Sequence, residues 1–222
     1  MKSKRFAHIL EELQEHLPYT VFAAFVGVGA LSLISFLAVL TNRQATLPEA
    51  SRGLFHTFHF SHLFFSSIAT TAMFWRHERR FFKTVLVGFF GTILPCGTSD
   101  IIFPFMGGKI LGVPMKLHIC LFQHPWIVLP FIFAGIIIGF ALPPVQRSTL
   151  FSHAGHVLLS SMATMLYLLS FGVADWLKFI ALIFILLILA VMVPCCTSDI
   201  IFPLIFTRTG EEQDYRAYHR AV

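Results

Sequence analysis

A ten-residue block occurs twice in this 222-residue chain. Pro95-Cys96-Gly97-Thr98-Ser99-Asp100-Ile101-Ile102-Phe103-Pro104 returns as Pro194-Cys195-Cys196-Thr197-Ser198-Asp199-Ile200-Ile201-Phe202-Pro203, with only Gly97 replaced, by Cys196. A second pair precedes it. His59-x-x-His62-x-x-x-Ser66-Ser67-x-Ala69-Thr70 returns as His153-x-x-His156-x-x-x-Ser160-Ser161-x-Ala163-Thr164. The offsets are 99 and 94 residues, so the second copy holds five extra residues between its blocks, placed by the pattern around Val173–Lys178. Pro18-Tyr19 against Pro125-Trp126 is a weaker third match. The chain therefore reads as two copies of one unit, residues 17–113 and 124–207, and self-similarity on this scale dictates the architecture before any local pattern does.

Composition says what the unit is made of. Hydrophobic residues are 56% of the chain and charged residues 12%, where soluble domains average about 25% charge. That excludes an ordinary soluble enzyme and a disordered chain. Six uncharged stretches, approximately 17–41, 53–75, 84–99, 123–146, 148–174 and 179–198, stand near the length of about 20 apolar residues that a membrane span needs. The first is too long for the apolar core of a cleaved signal and has no small-residue cleavage site. Three spans per copy is an odd number, so the second copy enters from the opposite side. The fold class expected is an all-α integral membrane protein of six transmembrane helices, arranged as two inverted-topology three-helix repeats.

Charge sets the orientation. Eleven of the sixteen Lys and Arg residues fall at the termini and in the connections around 76–83 and 147; the other five fall in the remaining connections. The positive-inside rule then puts both termini in the cytoplasm of a multi-pass protein of the cell (inner) membrane, with the lipid bilayer as its first partner. The net charge of +5 is a topology signal and does not imply nucleic acid. Residues 1–16 carry Phe6, Ile9, Leu10 and Leu13 at helical spacing among charged residues, which fits a separate amphipathic helix on the inner surface, or else a solvated lead-in. Residues 208–222 are expected to form a cytoplasmic tail.

The repeated block carries the chemistry. Pro95 and Pro194 interrupt helix, and Thr98-Ser99-Asp100 and Thr197-Ser198-Asp199 are good caps for a new half-helix. The third helix of each copy is thus expected to be broken, and paired interruptions at corresponding positions point to a substrate site. An intramembrane Asp is costly and usually functional, although each Asp could serve only as a cap. Cys96, Cys195 and Cys196 read as buried thiols or soft ligands; four cysteines are too few for a disulfide scaffold.

His59 with His62, and His153 with His156, are at i, i+3, which places both rings on one helix face. The doublets invite metal or proton handling; the competing reading is hydrogen bonding to the Ser66-Ser67 and Ser160-Ser161 rows. Topology puts the first doublet near the outer end of its span and the second near the inner end. Two symmetry-related sites are expected: His59, His62, Cys96, Thr98, Ser99 and Asp100 outward, and His153, His156, Cys195, Thr197, Ser198 and Asp199 inward. His56, His118, His124 and Cys196 are further donors.

Leu94-Pro95-Cys96, the polar cap, Phe103-Pro104 and Gly112-Val113-Pro114 before another span resemble the heavy-metal permeases of the arsenic-permease type and the related manganese exporters. Those are polytopic proteins with Cys-bearing interrupted helices in duplicated halves. The resemblance implies a transporter with a metal-like substrate.

Three readings follow. The first is an exporter or permease for a divalent or heavy-metal ion, or a small inorganic ion, coupled to protons through His or Asp. The second is a membrane redox protein in which histidines hold a metal centre or haem, haem being less favoured because an i, i+3 doublet does not supply facing ligands. The third is a small structural or accessory subunit, which forming a homodimer would enlarge; Gly27, Gly29, Gly135 and Gly139 allow close helix approach, at spacings that suit ordinary packing equally well. There is no Ser/His/Asp constellation with nucleophile spacing, no phosphate loop and no His-Glu-x-x-His helix to support a hydrolase.

Overall fold

The computed structural model describes residues 2–141, 148–173 and 175–196. Every regular element in them is helical. Helix α1 (Lys2–Leu40) leads through a short 3-10 turn into α2 (Leu47–His77). Helix α3 (Phe81–Gly97) continues through a π turn (Thr98–Ile102) into α4 (Phe103–Ile110). A connection then leads to the short α5 (Cys120–Gln123), α6 (Pro125–Ala141), α7 (Ser148–Phe171) and α8 (Ile180–Cys196).

Among the described residues three helical stretches are long and apolar enough to cross a membrane: Leu17–Leu40, Phe81–Ile110 and Trp176–Cys195. Pro125–Ala141 and Gly155–Phe171 are shorter apolar helices. The distribution of polarity is that of a membrane protein. Large apolar side chains point outward, among them Trp126 (88% exposed), Phe82 (82%) and Phe122 (78%). The interior instead holds Thr20, Ser66, Ser67, Thr70, Thr71, Thr92, Ser160, Ser161 and Thr164, all buried. An apolar core with Phe55, Phe74 and Tyr167 is buried beside them; what departs from a soluble fold is the number of large apolar side chains left exposed.

Helices α2 and α7 are the polar ones and they sit at the centre, α2 packed by α3, α6 and α7, and α7 by α1, α2 and α8. They run antiparallel. Along α2 the chain passes Arg52, whose guanidinium lies over Phe171; Phe55, edge-on to Tyr167; and His62, against His156. Helix α6 runs parallel to α2, with Phe60 against Phe131 at one end and Trp75 against Phe140 at the other. The two copies use like contacts. Gly135 of α6 faces Ser67 of α2, and Gly27 of α1 faces Ser161 of α7, Ser67 and Ser161 being equivalent in the repeat.

Two expectations need correction. The third helix is not broken at Pro95. One helical run carries the chain from Phe81 to Ile110, with the ladder widened over Thr98–Ile102. Pro95 removes one N–H, Thr98 Oγ1 donates back to Leu94 O (2.6 Å), and the π turn absorbs the irregularity without ending the helix. Thr98, Ser99 and Asp100 cap nothing, so no new half-helix begins there. Likewise α1 runs unbroken through Pro18, so residues 2–16 continue into the first apolar helix and do not form a separate one. Thr197, Ser198 and Asp199, with the tail 208–222, lie outside the described residues.

Helix α4 ends where Gly112 takes φ +76°, its N–H donating to Lys109 O (3.0 Å) while Val113 N–H donates to Gly108 O (3.0 Å). Pro114 follows, and the chain turns back over the end of α7, where Lys116 N–H donates to Phe171 O (2.9 Å). This turn delivers His118 to the bundle.

The α2–α6 contact is built on missing side chains. A methyl at Gly135 would overlap Ser67 and press on Phe64 O, and one at Gly139 would meet Thr71 and Ile68 O. Because backbone is in the way, Gly135→Ala and Gly139→Ala are each expected to cost about 1–3 kcal/mol, seen as a lower melting temperature in detergent. Gly29→Ala, with nothing in reach, is expected to leave it unchanged.

Candidate metal centre

Asp100 organises the interior. It is fully buried, and the π turn aims its carboxylate into the gap between α2 and α7. Oδ2 accepts from Nδ1–H of His59 (2.8 Å) and of His62 (2.7 Å). Oδ1 accepts from the hydroxyls of Ser99 (2.7 Å) and Ser160 (2.9 Å). A carboxylate offers about four acceptor positions, and protein donors fill them. Asp100 is therefore placed to orient ligands, with no oxygen turned toward an ion.

The consequence falls on His62. With its proton on Nδ1, its Nε2 presents a lone pair to the space beyond. Three atoms surround that nitrogen: His156 Nε2 at 3.1 Å, Cys96 Sγ at 3.6 Å and Cys195 Sγ at 3.8 Å. Cys195 Sγ also lies 3.3 Å from Ser160 Oγ. The ligand atoms of His62, His156 and Cys195 are all within 4.8 Å of one another and all three residues are buried. A tetrahedral ion with bonds of about 2.0–2.1 Å to nitrogen and 2.3 Å to sulfur separates its donors by about 3.3 Å (N to N) and 3.6 Å (N to S). The spacing around His62 Nε2 is close to those edges. A carboxylate holding the far nitrogen of a ligating imidazole is the usual second layer of such a centre.

His59, His62, Cys96, Ser99 and Asp100 of the outward set and His156 and Cys195 of the inward set thus meet at one place. His62 and His156 are equivalent in the repeat, as are Cys96 and Cys195, and equivalents touch because α2 and α7 cross antiparallel at this point. Of the inward set, His156 and Cys195 are seen here. The side chains of His153 and Cys196 lie outside the described residues, as do Thr197, Ser198 and Asp199. Among the described residues the serine rows make no hydrogen bond to the histidines: Ser160 holds Asp100, Ser67 Oγ donates to Phe64 O (2.8 Å), and Ser66 and Ser161 have no hydrogen-bond partner there. Thr98 Oγ1 bonds back to its own helix, while Ser99 Oγ lies 3.3 Å from Ser160 Oγ and the Ser99 carbonyl accepts from Thr164 Oγ1 (3.1 Å). Ser160 and Thr164 were missed as site residues. Their signal was available, since both fall in the repeated His-x-x-His-x-x-x-Ser-Ser-x-Ala-Thr block.

A second group stands toward the other end of α2. His56 Nε2 is 2.9 Å from His118 Nε2, and His124 completes a trio whose ligand atoms lie within 4.8 Å of one another. His118 is fixed by its backbone N–H donating to Tyr167 Oη (3.0 Å) and by stacking on Phe171. Partial burial, followed by the facing His56 and His124 rings and the Arg52 guanidinium, pulls His118 from the ordinary histidine value of 6.5 down to about 4. Tyr167 and Arg52 carried no motif and could not be found from sequence.

No protein-family model, characterised protein or solved structure matches the chain.

Because the folded-state value of His118 lies below its unfolded one, its contribution to stability is whole above pH 6.5 and is lost as pH falls from 6.5 toward 4. The melting temperature in detergent is expected to drop across that window, and His118→Gln to drop less. An equally steep fall in the variant would contradict this account of the ring.

Proposed function

We propose that the chain is a six-span membrane transporter of two inverted three-helix repeats, both termini cytoplasmic, which moves a transition-metal ion through a site made where the repeats cross. The observation that carries the reading is the meeting of repeat-equivalent donors around one nitrogen, His62 Nε2, in a wholly buried place. The antiparallel run of α2 against α7 supports inversion, since equivalent helices pointing opposite ways are related by an axis across them and not along them. The short apolar α6 and the polar, central α2 and α7 supply the remaining spans.

The donors choose the ion. Imidazole and thiolate favour soft and borderline metals such as zinc or copper over magnesium, calcium or manganese, which prefer oxygen. This narrows the metal-like substrate that the sequence's likeness to heavy-metal permeases implies. Ligating thiols give up their protons, so loading and release are linked to proton movement. Asp100 with His59 holds His62 in its ligating tautomer. A haem held by His62 and His156 together is disfavoured, because nitrogens 3.1 Å apart leave no room for a macrocycle between them.

The test is metal content and flux. The full chain, purified without chelator, is expected to hold zinc or copper tightly, and proteoliposomes carrying it to pass zinc but not magnesium. Asp100→Asn removes the charge and leaves one acceptor oxygen where two imidazoles and two hydroxyls donate, and is expected to weaken binding about 10–100-fold with loss of zinc flux. A chain that retains no metal, and whose zinc flux equals that of Asp100→Asn, would overturn the reading.

A further inference from the structure

We propose that His56, His118 and His124 form a second metal site, a three-histidine capture site at the end of the bundle, from which an ion reaches the buried centre. The donors stand apart from the central site, and their ability to bind an ion is independent of it; only the capture role rests on the transport reading.

Three separate pieces of chain converge here. His56 comes from α2, His118 from the connection after α4, and His124 from the junction of α5 and α6. His56 and His118 already face each other through Nε2 at 2.9 Å, and the His124 ring centre is 5.0 Å and 5.6 Å from theirs. The three ligand atoms lie within 4.8 Å of one another, so ring rotations bring them to the about 3.3 Å separation that tetrahedral bonds to nitrogen require. Three imidazoles and an open fourth position suit zinc, copper, nickel or cobalt, and the open position lets a ligand exchange. The frame is prepared: Tyr167 holds the His118 backbone, Phe171 stacks on its ring, and Phe60 stacks on His56.

Position supplies the role. The trio is partly buried, unlike the closed centre. His56, His59 and His62 follow one another at three-residue steps, each step about 4.5 Å along the helix axis. His59 lies between the two sites and is bonded to Asp100. Arg52 is the neighbouring cation, exposed and lying over Phe171. Its charge opposes a bound ion, which makes this the weaker site and suits it to capture and release.

Cobalt(II) distinguishes the sites, because a cysteine ligand adds a thiolate-to-cobalt charge-transfer band that a histidine-only site lacks. Stripped full chain in detergent is expected to bind two cobalt ions, the tighter with the thiolate band and the weaker without it. His118→Ala/His124→Ala is expected to lose the weaker ion and keep the band unchanged. His124→Ala alone, at the start of α6, is expected to weaken that ion at least tenfold and stands in if the double variant does not fold. Wild type binding only the thiolate-ligated ion, or a folded variant retaining both ions at full affinity, would overturn the proposal. If the band never forms, the central reading fails; loss of a band-free ion in the variants still upholds this one.

Discussion

A carboxylate with no access to solvent is the constraint on which the rest of the structure depends. Removing an ionised Asp from water costs several kcal/mol unless partners replace the lost solvation. Asp100 has four hydrogen bonds, two from α2 histidines, one from α7 and one from its neighbour Ser99. To collect them, α2 must turn its histidine face inward, α7 must bring Ser160 opposite, and the third helix must widen into a π turn. Such an arrangement is weak evidence for stability in itself, because an apolar core of the same volume would serve as well or better. Its physical effect is to fix the tautomer and direction of two imidazoles, which is a requirement of ligand chemistry.

The apolar exterior follows from the same requirement. Helices α2 and α7 are too polar to face lipid, so α1, α3, α6 and α8 surround them and present Phe, Ile, Leu and Trp outward. Close packing of α6 on α2 is possible because Gly135 and Gly139 leave room for Ser67 and Thr71. The polar interior then runs along α2 from His56 through His59 and His62 toward Ser66 and Thr70, residues at steps of three or four on one face.

Much of this was legible before any coordinates. The duplicated blocks named His62 and His156, Cys96 and Cys195, and the pairing of His59 and His62 with Asp100 follows from the topology they imply. What sequence could not supply was depth and crossing. Local rules read Pro95 followed by Thr-Ser-Asp as a break and a cap, but tertiary donors from α2 and α7 outbid the backbone for the Asp100 carboxylate, and the helix ran on. The same rules kept the two copies apart, because span position alone puts one histidine doublet high and the other low; the contact of α2 with α7 brings His62 and His156 to the same level. His118 belongs to a connection without periodicity, so its partnership with Tyr167 of α7 depends on the turn at Gly112.

X-ray absorption at the zinc edge, on zinc-loaded full chain at one ion per chain, tests the central claim most directly. The account predicts a mixed first shell, with nitrogen at about 2.0–2.1 Å and sulfur at about 2.3 Å, the sulfur lost on Cys96→Ser/Cys195→Ser. A first shell of oxygen and nitrogen alone in the wild-type chain would contradict it.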